Sequence, residues 1–257
     1  MNNLDLKNIV KDLINTVLEA GERAMKISHR GVKITIKPDK TPVTDGDLEV
    51  DRLLQEKIKK LTPDIPIISE ETVNLEKKNK SKNFWLIDPI DGTRQYIKKG
   101  DEYTLNAALI LNSQPALGIV YAPEKDRLFF SYGKDLSFEI NKGKKKKLNC
   151  KKINPNEIIA LVNSDKTPEE VLNIYKKHKV TKVIKMSSSI KFCILAAGES
   201  DIYAAKARAY EWDIAAGHAI LSHAGGIVST HQGNKFLYGK EDYKNLPIVA
   251  QRAKILS

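Results

Sequence analysis

The stretch that decides the fold of this chain is Trp85-Leu86-Ile87-Asp88-Pro89-Ile90-Asp91-Gly92-Thr93. The apolar run at residues 84–87 is bounded by polar residues and predicts a short buried strand. Asp88 ends this strand, and we expect the strand ladder to stop at Pro89 because proline has no N–H to donate. Asp91 and Gly92 then form a turn signal. Two aspartates on one turn can point at the same spot, where their repulsion favours a bound cation.

Taken alone, the Asp-Pro and Asp-Gly pairs indicate only a turn. Two further acidic segments change this interpretation. Upstream, the short apolar run at residues 66–69 ends in Glu70 and Glu71, and downstream Asp213 lies at the start of a helical pattern. Carboxylates from three separate parts of the chain predict a pocket of oxygen ligands, which Mg²⁺ prefers together with phosphate oxygens and water.

Length and composition indicate an ordinary globular protein. The chain has 257 residues, 41% of them hydrophobic, and can bury a core as one large domain or two apposed lobes. The net charge of +11 is compatible with a polyanionic partner, but lysine is spread along the chain, so nucleic-acid binding is the minority interpretation.

Several features favour a cytoplasmic protein. Cys150 and Cys193 are the only cysteines, and their spacing matches no zinc site, which favours a reducing compartment. Residues 1–12 are too charged for the core of a signal peptide, and no apolar run of about 18 residues is present to span a bilayer.

The order of the elements predicts a layered α/β domain. Apolar residues recur at helical spacing at residues 4–27 and 48–60, and the period-two pattern at 32–37 predicts a strand that is followed by a loop at 38–47. Antiparallel strands are predicted within 103–132. Strands and helices then alternate from residue 158 onward.

Three motifs resemble the inositol monophosphatase superfamily of Mg²⁺-dependent, lithium-sensitive phosphatases. They are Ser69-Glu70-Glu71, Asp88-Pro89-Ile90-Asp91-Gly92-Thr93 and Trp212-Asp213-Ile214-Ala215-Ala216-Gly217, in matching order and spacing. Residues 91–97, 103–110 and 188–193 look like the branch that hydrolyses 3′-phosphoadenosine 5′-phosphate, the 3′(2′),5′-bisphosphate nucleotidases of the bacterial CysQ type. The resemblance covers nearly the whole chain.

The resemblance implies a mixed α/β (α+β) fold, a layered αβαβα sandwich of the inositol monophosphatase and fructose-bisphosphatase type. We expect a single phosphatase unit over residues 1–257. One lobe, at about 1–150, would hold the metal and phosphate motifs. The other, at about 151–257, would hold the nucleotide side and the last metal ligand.

The resemblance also implies two or three Mg²⁺ ions. Glu70, Asp88 and the backbone carbonyl of Ile90 would hold the first ion. Asp88, Asp91 and Asp213 would hold the second, so Asp88 would bridge the two.

Asp47 lies near a predicted helix start, and spacing alone also fits a helix cap. The resemblance implies instead that Asp47 and Thr93 activate the attacking water. Gly92 and Thr93 would begin a helix whose N–H groups bind the phosphate. Lys37 and Glu71 would lie just outside the metal ligands.

For the nucleotide, Ser188 and Lys191 match the superfamily's contacts to the ribose and to the second phosphate. The alternative is a helix capped by Ser188 with Lys191 facing solvent. Relatives commonly place an arginine where this chain has alanine at 204–205, so Lys206 or Arg208 is the candidate to replace it.

The densest basic run is Lys142-Gly143-Lys144-Lys145-Lys146-Lys147. We expect a solvated hairpin tip in a loop away from the carboxylates, without interleaved aromatic residues for base stacking. A contact with RNA or anionic lipid at the inner face of the membrane is left open. No specific nucleic acid is expected as a partner, and no oligomeric state follows from the pattern.

The sequence thus predicts a Mg²⁺-dependent phosphomonoesterase that converts 3′-phosphoadenosine 5′-phosphate to AMP and phosphate. The nucleotide bisphosphate is the expected small-molecule partner. Inositol monophosphatase or fructose-1,6-bisphosphatase activity is the alternative. A remote alternative is a non-catalytic basic protein that binds RNA or membranes.

Overall fold

Helices and sheets alternate in five layers within the part of the chain that the computed structural model describes, residues 4–75, 81–150, 154 and 156–252. The helices there are α1 (Leu6–Arg30), α2 (Asp45–Leu61), α3 (Thr93–Ile97), α4 (Glu169–Lys177), α5 (Ile190–Ala197) and α6 (Glu211–His223). α1 and α2 cover one face of a seven-stranded sheet. α5 and α6 lie between that sheet and a five-stranded sheet, and α4 covers the outer face of the second sheet. The predicted αβαβα sandwich is confirmed.

A small hairpin precedes α2. Its strands are β1 (Ile34–Ile36) and β2 (Pro42–Thr44), and the pairing of β2 corrects part of the predicted loop at 38–47. α2 begins at Asp45, three residues before the predicted start. The reason is a capping box, in which the Thr44 hydroxyl accepts the N–H groups of Gly46 and Asp47.

The seven-stranded sheet has its strands in sequence order. They are β3 (Ile67–Ser69), β4 (Phe84–Asp91), β5 (Thr104–Leu111), β6 (Gln114–Ala122), β7 (Arg127–Ser131), β8 (Ser137–Asn141) and β9 (Lys144–Lys147). β3 and β4 are parallel, and the other neighbours are antiparallel. The predicted hairpin tip is present at residues 142–143, but the lysines at 144–147, which were predicted in the same loop, form the exposed edge strand. Lysine on an edge strand opposes pairing with other sheets.

The five-stranded sheet has the order β11-β10-β12-β14-β13. Its strands are β10 (Ile159–Val162), β11 (Lys182–Lys185), β12 (Ile202–Ala205), β13 (Ile227–Thr230) and β14 (Ile248–Gln251). The two sheets thus come from separate parts of the chain. The predicted lobes at 1–150 and 151–257 include residues outside the described ranges, and this division stays a prediction.

β4 does not end at Pro89, as the sequence predicted, but continues to Asp91. Asp88 pairs with Asn106 and Asp91 pairs with Thr104, so three steps along β4 match two steps along β5. This mismatch is a one-residue bulge. Alternate residues of β5 share a face, so the bulge places Asp88 and Asp91 on one face, whereas a regular strand would place them on opposite faces.

Candidate active site

Three carboxylates converge where the seven-stranded sheet meets the start of α6. Glu70 follows β3, Asp88 lies in β4, and Asp213 lies in the first turn of α6. One carboxylate oxygen from each lies within 4.8 Å of the other two. Asp88 is only 1% exposed, and its Oδ1 is buried without a hydrogen-bond partner among the described residues.

The electrostatics of this cluster favour a cation. Burial raises the pKa of Asp88 well above its usual range, and repulsion from Glu70, Asp91 and Asp213 adds to this effect. Burial and the same kind of repulsion raise the pKa of Asp213. Buried carboxylates retain their charges together only when positive charge compensates them. A set of carboxylate oxygens that includes an unpartnered one fits a hard divalent cation such as Mg²⁺.

Asp91, at the end of β4, is not one of these three carboxylates. It accepts a hydrogen bond from the backbone N–H of Ser189, at the start of α5. Burial raises the pKa of Asp91 to about 6, and the nearby Lys191 opposes this rise. The carbonyl of Ile90 accepts the Thr93 hydroxyl at 3.2 Å. The assignment of Asp91 and Ile90 as Mg²⁺ ligands stays a prediction.

The buried carboxylate of Asp47 caps α2 and also lies near Thr93, so its contacts fit both of the alternatives that the sequence had offered. Its Oδ2 accepts the backbone N–H of Thr44 at 2.8 Å and the Thr44 hydroxyl at 2.5 Å, which completes the capping box. Its Oδ1 lies 3.4 Å from the hydroxyl oxygen of Thr93. Burial raises the pKa of Asp47 to about 6, although the bonds from Thr44 oppose the shift. The expected proximity of Asp47 and Thr93 is present, and their catalytic role stays a prediction.

Lys37 and Glu71 lie beside the carboxylate cluster. The Lys37 Nζ is 2.7 Å from Glu71 Oε2 and 3.3 Å from Glu70 Oε1. Burial raises the pKa of Glu71 to about 7, against the opposing effect of Lys37. The hairpin that precedes α2 therefore contributes the positively charged side chain of Lys37 at the edge of the acidic site.

Gly92 joins β4 to α3 in a left-handed conformation, with φ of 95°. A Cβ at this position would lie 2.9 Å from the carbonyl oxygen of Glu102, so both the conformation and the space favour glycine. α3 begins at Thr93, as expected from the sequence, and has five residues. Phosphate binding by Gly92 and Thr93 stays a prediction.

Lys191 is buried, with 4% of its surface exposed. Its Nζ donates to the carbonyls of Met186, at 3.4 Å, and Ser188, and lies 5.2 Å from the centre of the Tyr203 ring. Burial lowers the pKa of Lys191 to about 8, although Asp91 opposes the shift. The alternative of a solvent-facing Lys191 after a Ser188 cap is therefore wrong, since Ser189 occupies the cap position.

A cavity of about 170 Å³ adjoins the carboxylates. Its lining includes Asp91, Asp213, Ser188, Lys191, Tyr203 and Arg208. Arg208 also borders a neighbouring cavity that contains Glu70, Gly92 and Thr93. Lys206 also borders the first cavity, and its Nζ lies 3.8 Å from Glu170. Of the two candidate replacements for an arginine, Arg208 is the one that faces both cavities.

Ser189 is a residue to which the sequence gave no role. Its hydroxyl donates to Asn106 Oδ1 at 2.6 Å and lies 2.8 Å from the Thr104 hydroxyl. Together with the bond from its N–H to Asp91, these contacts tie α5 to β4 and β5. The sequence signals were the run of three serines before a helix and the resemblance of residues 188–193 to the nucleotidase branch, and neither identifies distant partners.

The basic edge strand has aromatic rings beneath it. The Lys145 Nζ lies 4.4 Å from the Phe138 ring centre and 5.2 Å from that of Phe130. The run itself has no interleaved aromatic residue, and both rings belong to the neighbouring strands β7 and β8. The pairing of β7, β8 and β9 brings the rings and Lys145 together.

Five alternating layers and a carboxylate-lined pocket beside the inner helices place this chain in the class of layered αβαβα proteins with an acidic site. The comparison with known families is more specific, since the sequence model of the inositol monophosphatase family matches residues 5–254. The chain belongs to the inositol monophosphatase family. None of the helices within the described residues is long and apolar enough to cross a membrane.

Individual relatives agree with this family. The chain is 37% identical over 241 residues to the 3′(2′),5′-bisphosphate nucleotidase CysQ of Buchnera aphidicola, covering 91% of this chain and 90% of that protein. It is 33% identical over 224 residues to CysQ of Escherichia coli strain K12, covering 85% and 89%. The crystal structure of CysQ from Bacteroides thetaiotaomicron superposes with a TM-score of 0.77 at 28% identity, covering 96% of this chain and 97% of that one.

Proposed function

We propose that this protein is a Mg²⁺-dependent 3′(2′),5′-bisphosphate nucleotidase that hydrolyses 3′-phosphoadenosine 5′-phosphate to AMP and phosphate. The observation that carries the proposal is the convergence of Glu70, Asp88 and Asp213, with carboxylate oxygens within 4.8 Å of one another. Membership of the inositol monophosphatase family and the names of the relatives support the reaction and the substrate.

Glu70, Asp88 and Asp213 would hold Mg²⁺, with Asp91 and the Ile90 carbonyl as further ligands. Bound Mg²⁺ supplies charge neutralisation for the phosphoryl group and lowers the pKa of water. The protein supplies the buried Oδ1 of Asp88, which has no hydrogen-bond partner among the described residues and would be a ligand for the ion.

Thr93 and Asp47 orient the attacking water. The Thr93 hydroxyl oxygen lies 3.2 Å from the Ile90 carbonyl oxygen and 3.4 Å from Asp47 Oδ1, so its one proton has two alternative acceptors. When that proton is directed to Asp47, the hydroxyl oxygen still accepts a hydrogen bond from water. With a pKa of about 6, Asp47 is ionised at neutral pH and is able to take up a proton through Thr93. Positioning the water is the larger part of this role.

Arg208 binds the second phosphate of the substrate. It borders both cavities at the site, and a guanidinium forms paired hydrogen bonds to phosphate oxygens. The buried ammonium of Lys191 is bonded to the carbonyls of Met186 and Ser188. Lys191 therefore holds the serine turn in place and adds positive charge beneath the cavity.

The test is phosphate release with Mg²⁺ from 3′-phosphoadenosine 5′-phosphate, inositol 1-phosphate and fructose 1,6-bisphosphate. The bisphosphate nucleotide should have the highest kcat/KM. Equal or better turnover of either sugar phosphate would contradict the substrate while keeping the chemistry. In the Asp88→Asn variant, turnover and Mg²⁺ binding should be lost together, and unchanged activity would contradict the site.

The binding-protein alternative has a separate test. Binding of RNA or anionic vesicles through the lysines of β9 should weaken steeply with salt and vanish when they are replaced, and should survive Asp88→Asn. A cytoplasmic location and contact with the inner face of the membrane stay predictions.

A further inference from the structure

Asp51 is a buried carboxylate that the mechanism above does not use. It lies on α2 one helical turn after Asp47 and is 4% exposed. Its Oδ1 accepts the Ser69 hydroxyl at 2.5 Å, and its Oδ2 accepts the side-chain amide of Gln55 at 2.7 Å. Residues four apart on a helix share a face, so Asp47 and Asp51 face the same side.

The two hydrogen bonds to Asp51 hold the chain on both sides of Glu70 and Glu71. Ser69, which is fully buried, immediately precedes Glu70. The Gln55 amide also donates to the Thr72 hydroxyl at 2.9 Å, and Thr72 immediately follows Glu71. The carbonyl of Ser69 accepts the N–H of Thr72 at 3.1 Å, which closes the turn between them. One segment of α2 thus holds both ends of the turn that presents Glu70.

Glu70 needs such support because its side chain is partly exposed and is drawn towards Lys37 at 3.3 Å. Burial raises the pKa of Asp51, and a buried carboxylate is retained against this unfavourable desolvation when it is fully hydrogen-bonded. The same helix carries Asp47, so α2 sets the position of Glu70 relative to Asp47 and Thr93, which would orient the water. Residues that orient metal ligands in this way change the affinity for the metal.

We propose that Asp51 is a positioning residue for Mg²⁺ binding, acting through Ser69 and Gln55 to hold Glu70 opposite Asp88 and Asp213. This proposal rests on the proposed function, because it takes Glu70 to be a Mg²⁺ ligand.

The test compares Asp51→Ala and Asp51→Asn in the full-length protein. Calorimetric titration with Mg²⁺ should give a Kd about 10- to 100-fold higher for Asp51→Ala, the range expected for losing a residue that orients a ligand. At saturating Mg²⁺, the KM for the bisphosphate nucleotide should stay within about twofold of wild type. Asp51→Asn keeps an oxygen acceptor for the Ser69 hydroxyl, so it should restore most of the affinity.

Asp201→Ala is the matched control. Asp201 is also a buried carboxylate, 2% exposed, and it accepts the N–H of Ile159 at 2.8 Å and the Arg252 guanidinium at 3.0 Å in the second sheet. Its loss should lower the unfolding temperature and leave the Kd for Mg²⁺ unchanged. An equal loss of Mg²⁺ affinity in Asp201→Ala would overturn the proposal, because general destabilisation would then explain both variants.

Ser69→Ala keeps the test decisive if Asp51→Ala does not fold. It removes the hydroxyl donor to Asp51 alone and should also weaken Mg²⁺ binding. In the double variant the two effects should be less than additive, because both changes break the hydrogen bond between Ser69 and Asp51. A wild-type Kd in folded Asp51→Ala or in Ser69→Ala overturns the positioning role. A wild type that binds Mg²⁺ but releases no phosphate from the nucleotide overturns the proposed function instead, and the Kd comparison still decides the role of Asp51.

Discussion

Replacing Gly118 by alanine should disturb the acidic site from a distance. Gly118 lies in β6 against α6, and an added Cβ would lie 2.4 Å from the carbonyl oxygen of Ala216 and 2.8 Å from the Cβ of Ala219. Ordinary contacts begin near 3.4 Å, so α6 must move away from the sheet by about 1 Å. Asp213 lies in the first turn of the same helix and should move with it.

We expect two measurable losses in Gly118→Ala. Overpacking of a tight contact lowers the free energy of unfolding by about 1–3 kcal/mol. Displacement of one carboxylate by about 1 Å should raise the Kd for Mg²⁺ about tenfold or more. Urea unfolding in a chelator measures the first loss, and calorimetric titration of the folded protein with Mg²⁺ measures the second.

Gly21→Ala is the control for simple overpacking. Gly21 lies in α1, and its added Cβ would lie 2.3 Å from the ring of Tyr121, which faces the opposite side of β6. This variant should also be less stable than wild type, although the loss is reduced by about 1 kcal/mol because alanine is more favourable than glycine in a helix. Its Kd for Mg²⁺ should be that of wild type. A wild-type Mg²⁺ affinity in a destabilised Gly118→Ala variant would refute the reasoning that contact with β6 sets the position of Asp213.

Three further predictions concern charge. Arg208→Ala should raise the KM for the bisphosphate nucleotide about tenfold or more, because a charge-assisted phosphate contact is lost, and should leave the KM for adenosine 3′-phosphate little changed. Lys206→Ala should have a smaller effect on the KM for the bisphosphate nucleotide, because Lys206 borders only the first of the two cavities and its ammonium lies 3.8 Å from Glu170. Burial lowers the pKa of His218 from an ordinary 6.5 to about 3. Between pH 6.5 and pH 3 the unfolded chain therefore binds a proton that the folded protein does not, so the free energy of unfolding is highest above pH 6.5 and decreases as pH falls towards 3. His218→Gln should therefore flatten this part of the curve of unfolding free energy against pH, by up to about 5 kcal/mol. Glu211→Ala should cost about 3 kcal/mol in urea unfolding, because Glu211 is fully buried and pairs with Lys240 at 2.5 Å.

Local sequence determined the layered fold and the acidic residues of the site. The apolar run at 84–87 predicts the start of β4, the run at 66–69 predicts the end of β3, and the helical pattern predicts the start of α6 at Glu211. Only the predicted end of β4 was wrong among these. Hydrophobic periodicity and turn residues act over a few positions, so they indicate the acidic segments from local sequence. The resemblance to the inositol monophosphatase superfamily is what singles out Glu70, Asp88 and Asp213 among the carboxylates of these segments.

Tertiary structure decided how these residues meet. The register of β5 creates the bulge that turns Asp88 and Asp91 to one face, and packing against Tyr203 buries the ammonium of Lys191. The bond between Ser69 and Asp51 joins residues 18 positions apart. Strand register, burial and such bonds depend on groups that are distant in the chain, so a local pattern cannot specify them, whereas the folded layers fix them through packing and hydrogen bonding.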